Sequence, residues 1–287
     1  MLMNLGHAFQ IAKYRCSPLA IARNHAGSML DLDILARAGA MRGAARAPAR
    51  TTRNRSGRAT IKLHGIAEGG HPGLYSLLGM GFSTTAIERE ISLALMDDSV
   101  DEVVLSLNTP GGSVEGIPEL VNAIRAASRA KVLTAMVEYQ ACSAGFWVAS
   151  ACDRIIMSPS AEVGSIGVYM AHEDVSGAMA KAGVKNTYIS AGRYKVEGRS
   201  DAPLAPDAQA FMQSNVDKVC AMFVQAVALG RGVTRAEVEK NYGQGRSMGA
   251  TAAKKAGMVD AIAADVGAVP YTKDLLNKSI AALSCRI

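Results

Sequence analysis

Residues 103–150 decide the fold, and they read VVLSLNTPGG SVEGIPELVN AIRAASRAKV LTAMVEYQAC SAGFWVAS. The aliphatic run from Val103 to Leu107 predicts a buried strand. The Pro-Gly-Gly of residues 110–112 ends it, and apolar residues then recur at helical spacing from Ile117 to Ile124. Val132 to Val137 predicts a second buried strand, and a helix of small residues is expected to begin near Ser143. This order is typical of an α/β fold with a largely parallel sheet.

Strands and helices are predicted to alternate outward from this stretch, from about Ala59 to Ile262. They include a strand at Asn186–Ile189 and a long helix that Pro206 begins. Residues 69–81 are predicted to form a glycine-rich loop, and residues 39–58 to form a linker of Ala, Arg and Gly. We therefore expect a basic arm and linker at residues 1–58, one folded domain at residues 59–265 and a loose tail at residues 266–287.

The composition permits a sizeable core, and the charge is uneven. The chain has 287 residues, of which 49% are hydrophobic and 20% charged. Residues 1–60 contain ten Lys or Arg and two acidic residues, a net charge of +8. Because the whole chain carries +6, the remainder sums to −2. The arm could meet nucleic acid or an acidic protein surface, or could be solvated without a partner.

The cysteines and the apolar segments indicate where in the cell the protein is expected and whether it binds a metal or a cofactor. The five cysteines are odd in number, and their spacing matches no metal or redox motif. We therefore expect reduced thiols, a cytoplasmic location, and neither a metal nor a cofactor. Charged and polar residues interrupt every long apolar run, including the one at the N-terminus. Neither a signal peptide nor a membrane anchor is expected.

Two turns between a strand and a helix carry candidate chemistry. The glycines of Thr109-Pro110-Gly111-Gly112 leave backbone N–H groups bare at a helix start, which suits an oxyanion; the alternative is a simple turn. Ser143 has only small neighbours, so a substrate could approach its hydroxyl, and the Ala144 N–H could add a further oxyanion donor. The alternative for Ser143 is an ordinary helix N-cap.

A nucleophilic serine needs a base. None of the five histidines lies in a recognisable triad motif. Lysine can serve as a base where burial lowers its pKa. Lys195, in the Gly-Arg-Tyr-Lys-Val loop between a predicted strand and the long helix, is the candidate. The alternative is an ordinary surface lysine.

The order of these motifs resembles the signal peptide peptidase family of serine peptidases. The matching stretches are VVLSLNTPGGSV, ACSAGFWVASACDRI, VGSIGVYM, SAGRYKVEG and GATAAKKAGMVD. The resemblance spans about Thr60 to Ile262 and implies the Clp protease/crotonase-like fold of repeated β-β-α units. It also implies a Ser–Lys dyad of Ser143 and Lys195, with oxyanion N–H groups from Gly111 or Gly112. Many members have Asp-Ser where this chain has Asn108-Thr109, and because the donors are backbone groups the oxyanion hole is expected to persist.

The stretch Arg15 to Ile21 is similar to the front end of the branch encoded by tailed phages. That similarity implies a serine endopeptidase that processes scaffold, portal or capsid proteins in the host cytoplasm or the prohead. The wider family resemblance implies a ring-like homo-oligomer. The alternatives are a bacterial peptidase that degrades signal peptides or oligopeptides, an inactive structural part of the head, and a crotonase-like acyl-CoA enzyme. The presence of both Ser143 and Lys195 argues against the last two.

Overall fold

The computed structural model describes residues 19–21, 51–53 and 57–264. The strands are β1 (Leu19–Ile21), β2 (Thr51–Arg53), β3 (Arg58–His64), β4 (Ile66–Glu68), β5 (Gly81–Ser83), β6 (Glu102–Thr109), β7 (Gly111–Ser113), β8 (Val132–Cys142), β9 (Arg154–Met157), β10 (Glu162–Gly164), β11 (Ser247–Gly249) and β12 (Ala261–Ile262). The helices are α1 (Leu74–Leu77), α2 (Thr84–Leu95), α3 (Ile117–Ala127), α4 (Ala144–Ala149), α5 (Ser176–Lys181), α6 (Pro206–Arg231), α7 (Arg235–Asn241) and α8 (Ala250–Lys255).

The larger sheet among the described residues has the strand order β11-β10-β8-β6-β3-β2, with β9 paired to β8 and β12 to β9. The pairs β3–β6, β6–β8, β8–β9, β8–β10 and β9–β12 are parallel. Among the described strands of this sheet, only β2 and β11, at the two ends of the order, pair antiparallel. Successive β-β-α units, such as β3-β4-α1 and β6-β7-α3, supply the connections. The predicted α/β class with a largely parallel sheet is therefore confirmed.

A smaller sheet, with the order β1-β7-β4-β5, branches from the larger one. Gly65 makes the first turn: its φ is 79°, and its N–H donates to the Asn108 carbonyl at 2.9 Å. The chain therefore passes from β3 directly into β4. Pro110 makes the equivalent turn from β6 into β7. As a result, the Gly111-Gly112 pair lies in the smaller sheet, immediately beyond the carboxyl end of β6.

Much of the core lies on one face of the larger sheet, where alternate strand residues meet helices α2 and α3. In β3 the residues Ala59, Ile61 and Leu63 are fully buried, whereas Lys62 between them is exposed. The facing helix α3 buries the apolar residues whose spacing predicted it: Ile117, Leu120, Val121 and Ile124. Burying a side chain of this size contributes about 1.5–3 kcal/mol. This packing fixes the strands whose carboxyl ends carry the candidate site.

The opposite face of the same sheet holds a buried ionic group centred on Glu102. Its carboxylate accepts hydrogen bonds from Arg58 at 2.7 Å, Arg154 at 2.7 Å and the Thr134 hydroxyl at 2.5 Å. Burial acts to raise the pKa of Glu102, but the hydrogen bonds from Thr134 and Arg154 outweigh it and lower that pKa. The group ties together β3, β6, β8 and β9, and it is structural because each donor already has its acceptor.

The described residues fall into two compact units. Leu19 and Val168–Ala221 form the smaller unit, and Ala20–Gly167 with the residues from Met222 onward form the larger unit. The predicted strand at Asn186–Ile189 is absent from the smaller unit, where Ile189 is completely exposed. In its place Asp201 accepts hydrogen bonds from Asn186 at 2.8 Å and from the Tyr188 hydroxyl at 2.9 Å.

Two further segments differ from expectation. Residues 69–81, predicted to be a loop, contain helix α1, whose first backbone N–H groups donate to the buried Glu68 carboxylate. Strand β2 lies in the segment expected to be a linker and pairs with β3. The domain boundaries at residues 58 and 265 stay predictions, and most of the arm and the whole tail lie outside the described residues.

Candidate active site

Ser143 is the single residue between strand β8, which ends at Cys142, and helix α4, which begins at Ala144. Its backbone has φ 54° and ψ −119°, a conformation that residues with a side chain rarely adopt. Two hydrogen bonds hold it there: the Ser143 N–H donates to the Gly164 carbonyl at 2.7 Å, and the Ser143 carbonyl accepts from the Trp147 N–H at 3.0 Å. The serine therefore sits on a sharp strand-to-helix turn.

The Ser143 hydroxyl does not cap the helix that it precedes, because α4 has no side-chain cap hydrogen bond. Its recorded hydrogen bond, to the Gly167 carbonyl, is long at 3.4 Å. Ser83, at the same position before α2, behaves differently: it has extended backbone, and its hydroxyl accepts from the Ala86 N–H at 3.2 Å. The N-cap alternative for Ser143 therefore does not describe this geometry.

Small residues let α4 approach the Pro-Gly-Gly turn closely. A Cβ built on Gly145 would lie only 2.5 Å from Cγ2 of Thr109, the last residue of β6. Ala144 is fully buried beside it. The sequence motif of small residues around the serine therefore has a packing cause, and it brings the start of α4 against the end of β6.

Both glycines of the turn occupy positions that a side chain would disturb. Gly111 has φ 101°, and a Cβ on Gly112 would come within 2.7 Å of the Ala67 nitrogen in the paired strand β4. The Gly111 N–H donates to the Thr109 hydroxyl at 3.1 Å. Because that hydroxyl already occupies the Gly111 N–H, Gly111 would have to share or release this bond to hold an oxyanion. Sequence reasoning did not reveal this contact.

The Ala144 N–H is a third candidate donor. It belongs to the first turn of α4, whose N–H groups have no acceptor within the helix. Ala144 at the start of α4 and the glycine pair in β7 both belong to the larger unit, and α4 packs against the end of β6 that leads into β7.

Lys195 lies in the smaller unit. It is exposed, and its N–H donates to the Gly192 carbonyl at 3.1 Å within a tight turn in which Gly192 has φ 101°. The neighbouring Arg193 guanidinium lies 4.9 Å from the centre of the Tyr194 ring. Since Ser143 belongs to the larger unit, the pairing of Ser143 with Lys195 stays a prediction.

Ser165 is a feature that sequence reasoning missed. Its φ is 54°, like that of Ser143, and its N–H donates to the Arg246 carbonyl at 2.9 Å. It follows Gly164, whose carbonyl accepts the Ser143 N–H. The sequence signal was limited to the Gly-Ser pair of the VGSIGVYM motif, which does not by itself indicate that the serine has a positive φ.

A second serine, Ser106, has polar partners that superficially suggest a triad. Its hydroxyl donates to Glu138 at 2.6 Å, and His64 Nε2 lies 2.9 Å from the same oxygen. Because the hydroxyl proton goes to the carboxylate, His64 acts as donor there and not as base. Burial lowers the pKa of His64, and the Glu138 charge opposes that shift. Burial does not distinguish the two serines, because Ser106 is 3% exposed and Ser143, whose hydroxyl was expected to be approachable, only 1%. Ser106 differs in lying inside strand β6 and not at a strand-to-helix turn.

Cys142 precedes Ser143 but does not compete with it chemically. Burial, with a smaller effect from the Glu162 charge, raises the pKa of its thiol to about 12. The thiolate, which is the reactive form, is therefore scarce at neutral pH. Among residues 57–264, no group of three or more His, Cys, Asp or Glu is placed to hold a metal ion. In the described part of the chain, no helix is both long and apolar enough to span a membrane.

The family model for peptidase family S49 matches residues 125–277, which include both Ser143 and Lys195. The chain belongs to peptidase family S49. The chain is similar to the head-tail preconnector protein GP5 of Enterobacteria phage P21, which is 32% identical over 65% of this chain and 37% of that protein. The capsid assembly protease C of Escherichia phage lambda is 35% identical over 52% of this chain and 34% of the relative.

The chain is also similar to a bacterial protease. Protease 4 of Salmonella typhi is 31% identical over 64% of this chain and 29% of that protein. The chain thus spans about a third of the length of these curated relatives. Among solved structures, a ClpP1 mutant from Listeria monocytogenes matches with a TM-score of 0.43 and 13% identity, over 76% of this chain and 94% of that one.

Proposed function

We propose that this S49 chain is a serine endopeptidase that works by a Ser–Lys dyad. Ser143 is the nucleophile, Lys195 the general base, and the N–H groups of Gly111, Gly112 and Ala144 form the oxyanion hole. The observation that carries the proposal is the Ser143 backbone, which is held at φ 54° on a turn between β8 and α4 without a capping role for its hydroxyl. Strained backbone of this kind persists where the surrounding structure enforces it, and it concentrates at active sites.

The reaction needs no metal or cofactor. Neutral Lys195 accepts the Ser143 hydroxyl proton as Oγ attacks the scissile carbonyl carbon, and the N–H donors stabilise the oxyanion that forms. The C–N bond breaks as the leaving amine takes the proton from Lys195, which leaves an ester on Ser143. Water, deprotonated by the same lysine, then hydrolyses the ester and restores the serine.

The proposed substrates are scaffold, portal or capsid proteins of a phage head, processed in the bacterial cytoplasm or in the prohead. The names of two relatives, a capsid assembly protease and a head-tail preconnector protein, support this choice. A second candidate is the degradation of signal peptides or other short peptides, which the similarity to Protease 4 favours. Terminase, portal and capsid genes beside this one would favour the first candidate.

We also propose that the enzyme works as a ring-like homo-oligomer. The smaller unit supports this, because several of its large apolar side chains are exposed: Val184, Tyr188, Ile189, Tyr194 and Phe211. Exposed apolar groups of this kind mark association surfaces. Packing against a neighbouring copy would also remove water from the turn that contains Lys195, as a lysine base requires.

The decisive experiment compares Ser143→Ala, Lys195→Ala and Lys195→Arg with the wild type, each co-expressed with scaffold and capsid proteins of the same genome. We expect all three variants to leave those proteins uncleaved while circular dichroism stays unchanged. Arginine keeps the charge but does not release its proton in proteins, so it should fail as completely as alanine. Cleavage by Ser143→Ala would refute the nucleophile assignment, and substantial activity of Lys195→Arg would refute the base.

A further inference from the structure

Strand β7, which begins with the two glycines of the candidate oxyanion hole, has a neighbour on each side. In the order β1-β7-β4-β5 it lies between β1 and β4. On the β4 side, Gly112 pairs with Ala67 so closely that a Cβ would overlap the backbone. On the other side lies β1, Leu19–Ile21, from the basic arm. Both edges of β7 are therefore occupied by residues of this chain.

The two neighbours differ in how firmly they are attached. Strand β4 follows β3 through Gly65, so the larger sheet fixes its position. Strand β1 is only three residues long. A strand of this length offers few backbone hydrogen bonds, and a competing peptide could replace all of them.

The edge of β7 is also the edge that an extended substrate would need. Peptides commonly bind by adding a strand to a free sheet edge, where main-chain hydrogen bonds supply affinity. The scissile carbonyl must lie against the oxyanion donors, two of which are the first residues of β7. A substrate that pairs beside Gly111 and Gly112 would need the position that β1 already occupies.

We infer that residues Leu19–Ile21 occupy the peptide-binding edge of β7 and act as a built-in competitor of the substrate. The inference rests on the proposed peptidase function, and it names the partner of the site as an extended segment of the chain's own arm. Because the arm is covalently attached, its effective concentration at the site is high, and a substrate must outcompete it. Activity is therefore restrained until β1 is displaced.

The kinetic test uses Ala20→Pro, which removes one backbone donor and disfavours strand pairing, with Ala45→Pro in the same arm as the matched control. Fluorescein-labelled casein is the probe substrate. We expect Ala20→Pro to lower KM at least about threefold with unchanged kcat, because a tethered competitor is lost. A synthetic peptide, RCSPLAIARN, should restore the wild-type KM of that variant. An unchanged KM in Ala20→Pro would overturn the inference.

A second test needs neither catalysis nor a proline substitution. Hydrogen exchange is measured on the full Ser143→Ala chain with and without saturating RCSPLAIARN. We expect the amides of residues 19–21 to exchange at least about tenfold faster with the peptide, while those of β7 stay protected. Unaltered exchange at residues 19–21 would overturn the inference even if Ala20→Pro failed to fold. If the peptide displaces β1 but the wild-type chain cleaves no protein, the proposed function is refuted and the inference about β1 is not.

Discussion

At Ser143 the side chain and the backbone have opposite requirements. The φ of 54° suits glycine, whereas the proposed chemistry needs a hydroxyl. The cost of holding a residue with a side chain in such a conformation is about 1–3 kcal/mol. The hydrogen bond to Gly164 and the packing of α4 against Thr109 offset that cost.

We therefore predict that Ser143→Gly is inactive but more stable than Ser143→Ala, by about 1 kcal/mol in the free energy of unfolding. Both variants lack the hydroxyl, and only alanine keeps the strained Cβ. Urea unfolding measures the difference. The matched control is Ser92, exposed inside helix α2, where glycine should be about 1 kcal/mol less stable than alanine. The same sign at both positions would show that the backbone of Ser143 is not strained.

The elements that form the site differ in how far sequence could predict them. Strands β6 and β8 and helix α3 were predicted because each has a long apolar pattern, and the structure confirms them. Strands β4, β5 and β7 have three residues each, too few to show an alternation, and they were missed. The segment Asn186–Ile189 has β-forming residues, but among the described residues it is not a strand.

The candidate residues show the same limit. Ser143, Gly111 and Gly112 were identified because small residues between a strand and a helix have a local signature. The left-handed backbone of Ser143 and the bond from Gly111 to Thr109 were not predicted, since both depend on contacts between elements that are distant in sequence. The pairing of Ser143 with Lys195 came from a family resemblance and stays a prediction.

The packing of α4 on β6 gives a test at the scale of elements. Gly145→Ala should displace the start of α4, because the added Cβ would lie 2.5 Å from Thr109 Cγ2. A misplacement of about 1 Å can cost roughly 100-fold in rate, so we expect a loss of kcat/KM of that order in casein cleavage.

The matched variant is Gly145→Ala combined with Thr109→Ser, which deletes the colliding methyl group but keeps the hydroxyl that Gly111 contacts. This double variant should recover most of the activity. If it remains as impaired as Gly145→Ala alone, the contact between the two elements is not what positions Ser143.

At the scale of the whole molecule, Ser143 belongs to the larger compact unit and Lys195 to the smaller one. We predict that a Ser143→Ala chain mixed with a Lys195→Ala chain regains activity, although each is inactive alone. With random mixing in a ring, about a quarter of the sites would combine an intact serine with a neighbour's intact lysine. Casein cleavage measures the recovery, and native mass spectrometry verifies that mixed rings form.

The control mixture replaces the Ser143→Ala chain with a chain that carries both substitutions. No lysine base is then present, and this mixture should stay inactive. If the first mixture is also inactive although mixed rings are present, the serine and the lysine act within one chain.

The buried thiol of Cys142 determines how the protein should respond to reagents that modify cysteine, which are often used to assign peptidases to a catalytic class. With its pKa raised to about 12, the thiol next to Ser143 should resist iodoacetamide and N-ethylmaleimide. Purified enzyme should lose little activity when either reagent is added or when reductant is left out. A thiol-modification screen would therefore detect nothing at this site, although Cys142 is adjacent to Ser143 in the chain.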